Sequence, residues 1–217
     1  MLFKDYSIDK FISELSSNAP SPGGGSTAAL VAALASSLNS MVYSLTVGKK
    51  VFEKLNDEEK NIMINLQEEA EKFTKSAQSF MESDREDFLN LMDSYKFPKE
   101  KEVELKFREE KIKKNTFKAM ETPLSLAEEC IKFYDNIEFA IKYGNKNLIS
   151  DAGVATILLH SAIESSVINV KVNLNFLRDE DICEEIENKC KLIINESYIK
   201  KCNLINSVEN IIYPKKI

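Results

Sequence analysis

Residues 20 to 27 read Pro20-Ser21-Pro22-Gly23-Gly24-Gly25-Ser26-Thr27, and no charged residue follows until Lys49. Three successive glycines are costly to order and free to take positive φ. The two prolines stiffen the approach, and Ser26 and Thr27 are of the type that caps a helix start. Such a loop aims backbone N–H groups, and the positive end of a helix, at an anionic or polar ligand. It is not a P-loop, which needs a lysine where Gly25 stands, nor a dinucleotide fingerprint, since no strand pattern leads into it. A Gly/Pro/Ser cluster before a helix also serves as a plain turn, so spacing alone leaves both readings open.

The second candidate is a carboxylate in the wrong company. Ile62, Leu66, Ala70, Phe73, Ala77, Phe80, Asp84, Phe88 and Leu91 recur every three or four residues, so Asp84 falls on an apolar helical stripe. A buried carboxylate is costly unless it is paired, hydrogen-bonded or protonated. It serves either acid/base chemistry or a structural bond to a neighbouring helix end or lysine. Asp151, behind Ser150 and the loop Gly144-Asn145-Lys146-Asn147, reads as a charge in the first turn of a helix. Asn169 and Asn173 share one face of a largely apolar helix. Lys49 and Lys50 follow the uncharged segment, where they neutralise a helix end or hold an anion. One histidine, His160, excludes His-rich metal sites and reads as structural, so no metal centre is expected.

These residues must be held by helices. Ile8, Phe11, Ile12 and Leu15 mark a short opening helix behind Ser7, and an uncharged helix runs to about Val47 before Gly48. Asn56 or Asp57 caps a long third helix to Tyr95. Lys99 to Met120 reads as a solvated helix or arm, and Pro123 opens or kinks the next helix, which Gly144 ends. Ser150-Asp151 starts another to about Leu177, and Asp179 or Asp181 precedes the last. About seven helices with short connections predict an all-α, single-domain bundle over residues 1–217.

Composition narrows the partners. A net charge of −6 argues against a general nucleic-acid or anionic-membrane binder. The segment Ser26 to Val47 imitates a membrane span, yet eight of its 22 residues are Ser, Thr or Asn and five are Ala. That is too weakly apolar for a spanning helix and suits the centre of a bundle or a subunit interface. Cys130, Cys183, Cys190 and Cys202 form no CxxC pair and read as free thiols in a reducing cytoplasm. The opening residues are amphipathic and acidic, unlike a signal peptide.

Together the motifs resemble the cyclodeaminase domain of formiminotransferase-cyclodeaminase and the related stand-alone methenyltetrahydrofolate cyclohydrolases. The likeness rests on Pro20-x-Pro22-Gly23-Gly24-Gly25-Ser26, Thr46-Val47-Gly48-Lys49-Lys50, Asp84-x-x-x-Phe88, Phe97-Pro98-Lys99 and Pro123-Leu124. It continues with Asn147-x-x-Ser150-Asp151-x-Gly153-Val154-Ala155, Asn169-Val170 and Asn173-Leu174. Asp87 departs from it, since the family pattern has Ala there. The resemblance implies a helical homodimer acting on the one-carbon bridge between two nitrogens of tetrahydrofolate, without a metal or redox cofactor. Hydrolysis of the methenyl to the formyl form is the leading expectation. Deamination of the formimino form is the alternative, and a non-catalytic folate-binding or interaction bundle a lesser one. It further implies catalytic roles for Asp84 and Asp151. Pro22, Gly23, Gly24, Gly25, Ser26, Lys49, Asn147, Ser150, Asn169 and Asn173 would bind the substrate, with Lys49 for its glutamyl tail.

Overall fold

The computed structural model describes residues 1–177 and 180–214. Its α-helices are α1 (Ile8–Leu15), α2 (Gly24–Ser44), α3 (Lys50–Glu53), α4 (Asp57–Ser94), α5 (Glu102–Tyr143), α6 (Ile149–Leu177) and α7 (Glu180–Ile212). No strand occurs among the described residues, so the all-α expectation holds.

Four helices form the bundle. α2 packs between α4 and α6, and α5 packs between the same two from the opposite corner. Cross-helix hydrogen bonds set the register. Ser36 Oγ reaches the carbonyl of Ala70, Asn136 Nδ2 that of Leu66, and Asn173 Nδ2 that of Ala119. Neighbours are therefore antiparallel, an up-and-down arrangement with α7 laid against α5 and α6. Alanines at positions 28, 29, 32, 33 and 35 of α2 are buried, which lets α4 and α6 approach its backbone. Two segments, Gly24–Ser44 and Lys146–Leu177, have the length and composition of membrane spans. In each, 56% of the most apolar window is buried within the bundle, as core helices require.

A buried polar knot pins the middle. Asn39 Nδ2 donates to Asn136 Oδ1 at 2.6 Å, and the Tyr43 hydroxyl donates to the Asn136 carbonyl at 2.6 Å. A second knot docks α7: Ser197 Oγ lies 2.7 Å from His160 Nδ1 and 2.9 Å from the Tyr134 hydroxyl. His160 is thus structural, as its isolation in the sequence suggests. All four cysteines are free thiols.

Helix ends follow the chemistry read from the sequence, with two exceptions, at Pro123 and at the start of α2. Ser7 caps α1, Asn56 and Glu59 form a capping box on α4, and Gly144 ends α5. Pro123 neither opens nor separates a helix. It lies inside α5, so the charged stretch after Lys99 supplies that helix's first half and extends past the bundle as one arm of the α4–α5 hairpin. Phe97 and Phe107 meet edge to face near the turn of this hairpin, with ring centres 5.4 Å apart. On α4, Met63 and Met81 are buried where Ile62 and Phe80 were expected, because a 3.6-residue period drifts along a 38-residue helix. α2 begins at Gly24, with Gly23 as its cap, three residues earlier than a Ser26 cap predicts. Asp179, one of the two proposed starts of the last helix, lies outside the described residues.

Candidate active site

The glycine run does not form a left-handed loop. Gly23 is extended, Gly24 and Gly25 are the first residues of α2, and among the described residues only Gly48 has positive φ. What these positions need is the absence of a side chain. A Cβ on Gly25 would lie 1.9 Å from Asp84 Oδ1, and one on Gly24 would lie 3.2 Å from Asn169 Oδ1, whereas one on Gly23 would meet nothing within 4 Å. Gly25 therefore lets a carboxylate from α4 reach the first turn of α2. There the free N–H groups and the helix dipole favour negative charge.

Ser26 acts as the receiver rather than a cap. Its Oγ donates to Asp84 Oδ2 at 2.7 Å, and its backbone N–H also bonds the carboxylate. Thr27 Oγ1 turns back to the Gly23 carbonyl at 2.8 Å. Asp84 is held above the ordinary carboxylate pKa, first by desolvation, with the charge of Asp87 adding to it. The two Ser26 bonds oppose that shift.

Asn169 and Asn173 stand across from the glycines. Asn169 Nδ2 donates to the Ser165 carbonyl at 2.8 Å, leaving the amide oxygen as the acceptor that faces Gly24. The place of Asn173 is explained by Pro123. Proline has no N–H, so the carbonyl four residues earlier, that of Ala119, loses its helical donor. Asn173 Nδ2 supplies one at 2.9 Å.

A pocket of about 350 Å³ lies between these groups. Gly23, Gly24, Gly25, Asp84, Asn169 and Asn173 line it together with Pro20, Ser21, Phe88, Leu91, Met92, Tyr95, Ala119, Val172 and Phe176. Asp84 is the only charged side chain among these lining residues. Pro22, in a cis peptide bond after Ser21, and Ser26 are buried behind it. The N-terminal segment braces the floor: Phe3 N–H donates to Glu82, and the Arg85 guanidinium lies 4.9 Å over the Phe3 ring. The pocket is thus mainly apolar and aromatic, with one carboxylate and two amides. It suits a flat, partly apolar ligand carrying positive charge.

The remaining expected site residues lie elsewhere in the chain. Lys49, Asn147 and Ser150 are exposed and Asp151 is half-buried at the far end of α2 and α6, where Asn145 N–H donates to Thr46 Oγ1. A 21-residue helix such as α2 spans about 30 Å. Asp84 and Asp151 therefore do not share a cleft within one chain, because antiparallel packing puts the start of α6 beside the end of α2. Sequence reading missed the aromatic wall. Phe88 and Leu91 continue the apolar stripe beyond Asp84, and its extension to Tyr95 is the sequence signal of that wall. Val172 and Phe176 flank Asn173 at helical spacing with nothing else to mark them.

An up-and-down helical bundle with a carboxylate held on a glycine-started helix defines the class of protein. The comparisons with known proteins agree. A family model described as formiminotransferase-cyclodeaminase matches residues 7–192. The methenyltetrahydrofolate cyclohydrolase of Methylorubrum extorquens is 34% identical over 82% of this chain and 84% of its own length. The formimidoyltransferase-cyclodeaminase of Rattus norvegicus is 26% identical over 94% of this chain, which spans only 37% of that relative. The crystal structure of a formiminotetrahydrofolate cyclodeaminase from Thermotoga maritima shares the fold with a TM-score of 0.76, at 22% identity over 96% of each chain. The chain belongs to the formiminotransferase-cyclodeaminase family.

Proposed function

We propose that this protein is a folate one-carbon enzyme that hydrolyses methenyl-tetrahydrofolate to formyl-tetrahydrofolate, with residues 1–217 as one catalytic unit. The observation that carries the reading is the single carboxylate, Asp84, in an otherwise uncharged pocket at the first turn of α2. The methenyl bridge is a cationic amidinium. Water adds to its carbon, the water proton passes to the Asp84 carboxylate, and the tetrahedral carbon then expels one ring-bridging nitrogen. That nitrogen takes the proton back from Asp84 while the carbinol hydroxyl gives up its own proton to solvent, so the formyl group is left neutral on the other nitrogen and one proton is released in all. Proton transfer and charge complementarity meet these needs, and the chemistry calls for no metal or redox cofactor. Phe88, Tyr95 and Phe176 supply surface for the flat pterin and benzoyl rings. The cyclodeaminase relatives favour a second reading, in which ammonia leaves the same tetrahedral carbon of a formimino substrate.

The far-end residues enter through a homodimer. α2 and α6 lie side by side and leave Leu34, Met41, Leu45, Ile157, Ile168 and Val172 exposed along one shared face. A two-fold axis across that face pairs the start of each helix with the end of its partner. One protomer's Lys49, Asn147, Ser150 and Asp151 then approach its partner's Asp84. In this arrangement Lys49 faces the glutamyl tail and Asp151 is the second carboxylate.

Purified protein is given each folate in turn while the methenyl chromophore is followed. Its loss identifies hydrolysis, and its appearance with ammonia release identifies deamination. Asp84→Asn lowers turnover at least ~10²-fold with the fold retained. Unchanged turnover in that variant, or no change in either folate, overturns the proposal.

A further inference from the structure

Asp87 stands one helical turn beyond Asp84 on α4 and does not line the pocket. Its carboxylate is nevertheless anchored: Oδ2 accepts from Thr122 Oγ1 of α5 at 2.6 Å. Both residues are half-buried. Thr122 belongs to the same turn of α5 whose Ala119 carbonyl, freed by Pro123, holds Asn173. That turn therefore positions groups on both α4 and α6 around one pocket.

Three residues apart on one helix, Asp87 and Asp84 are neighbours, so an anchored charge on Asp87 opposes ionisation of Asp84. Few other charges compete. α2 carries none between Gly24 and Ser44. On α6 the facing groups are the amides of Asn169 and Asn173, while Lys171 is exposed. On α5, Lys118 and Glu121 flank Thr122 and are exposed. On α4, Glu82 and Arg85 pair with each other at 3.9 Å and with the N-terminal segment. The first turn of α2 and Ser26 favour the ionised form of Asp84, and Asp87 opposes them.

We propose that Asp87, fixed by Thr122, is a positioning residue whose charge tunes how readily Asp84 gives and takes a proton beside the cationic substrate. This rests on the reading of Asp84 as the reacting carboxylate. Asp87 departs from the family pattern that this chain resembles, which usually has Ala at that position.

The titration of Asp84 is read directly by carboxyl carbon-13 NMR of ligand-free protein labelled at aspartate, with Asp84→Asn giving the assignment. In Asp87→Asn the Asp84 midpoint falls by about half a pH unit or more, the scale of one neighbouring charge at partial burial. Thr122→Val moves it in the same direction by releasing the Asp87 side chain, and Thr122→Ser restores it. The limb of the pH–rate profile governed by Asp84 moves with it. An unmoved midpoint in folded Asp87→Asn overturns the inference. A midpoint that moves in Asp87→Asn but not in Thr122→Val overturns the part assigned to Thr122. Failure of the wild-type protein to turn over any folate instead refutes the functional reading, and the titration is still decisive.

Discussion

Replacing Gly25 with alanine tests whether the glycine run exists for close approach. The added Cβ would lie 1.9 Å from Asp84 Oδ1, 2.5 Å from its Cγ and 2.9 Å from Oδ2. Ordinary van der Waals contact begins near 3.4 Å, so carboxylate and helix must separate by about 1.5 Å. Misplacing a reacting group by about 1 Å costs ~10²-fold in rate, or ~2.7 kcal/mol of barrier. The methyl group itself improves helix propensity by up to about 1 kcal/mol, which offsets part of the strain. Gly25→Ala should therefore lose at least ~10²-fold in turnover while its urea midpoint changes little. Gly24→Ala meets only the Asn169 amide, at 3.2 Å, and should lose less. Gly23→Ala, with open space and an extended backbone, should lose least. Turnover is followed by the methenyl chromophore and stability by urea denaturation. Wild-type turnover in Gly25→Ala, or equal losses at all three positions, would refute the steric argument.

Three further perturbations probe other parts of the molecule. Leu34→Glu or Ile168→Glu, placed on the exposed apolar face of α2 and α6, should give a monomer by light scattering and low turnover with full helicity. A dimer that survives both changes would exclude this face. Asn136→Ala removes partners from the Asn39 amide and the Leu66 carbonyl and should cost about 1–3 kcal/mol in urea denaturation, since buried polar groups lose their bonds. His160 is held below its ordinary pKa of 6.5, first by burial. The unfolded chain therefore binds its proton first, and stability should be full above about pH 6.5 and decline as pH falls below it. His160→Gln should remove that part of the pH dependence, and an unchanged slope would show that other groups cause it.

Much of the fold was legible because its helices carry their own punctuation. Ser7, Asn56 and Gly144 sit where caps and stops belong, and the weakly charged α2 and α6 had to be central. Pro123 misled because a proline is read locally as a break, whereas here a side chain from another helix satisfies the carbonyl it frees. No local pattern announces that compensation. The site was half legible. Asp84 stood out by violating the apolar period, and the glycines by their cost. The function of Gly25 was hidden, because contact with a carboxylate 59 residues away is a tertiary fact. The separation of Asp151 and Lys49 from Asp84 was equally invisible, since it depends on which ends of antiparallel helices coincide.

The balance at Asp84 explains how this carboxylate can carry the proton in the reaction proposed here. Ser26 and the first turn of α2 pull it toward the ionised form, and burial with Asp87 push it toward the protonated one. A group held between opposing influences of this kind changes state when a single new charge arrives. The methenyl substrate brings that charge, so its binding favours the carboxylate and is favoured by it. Hydrolysis then removes the positive charge from the ligand, because the formyl product is neutral at the former amidinium. The attraction that selects the substrate disappears when the C–N bond breaks, and the site holds its product less tightly than its substrate. A permanent cation in the pocket would defeat this arrangement, and the residues lining it include none.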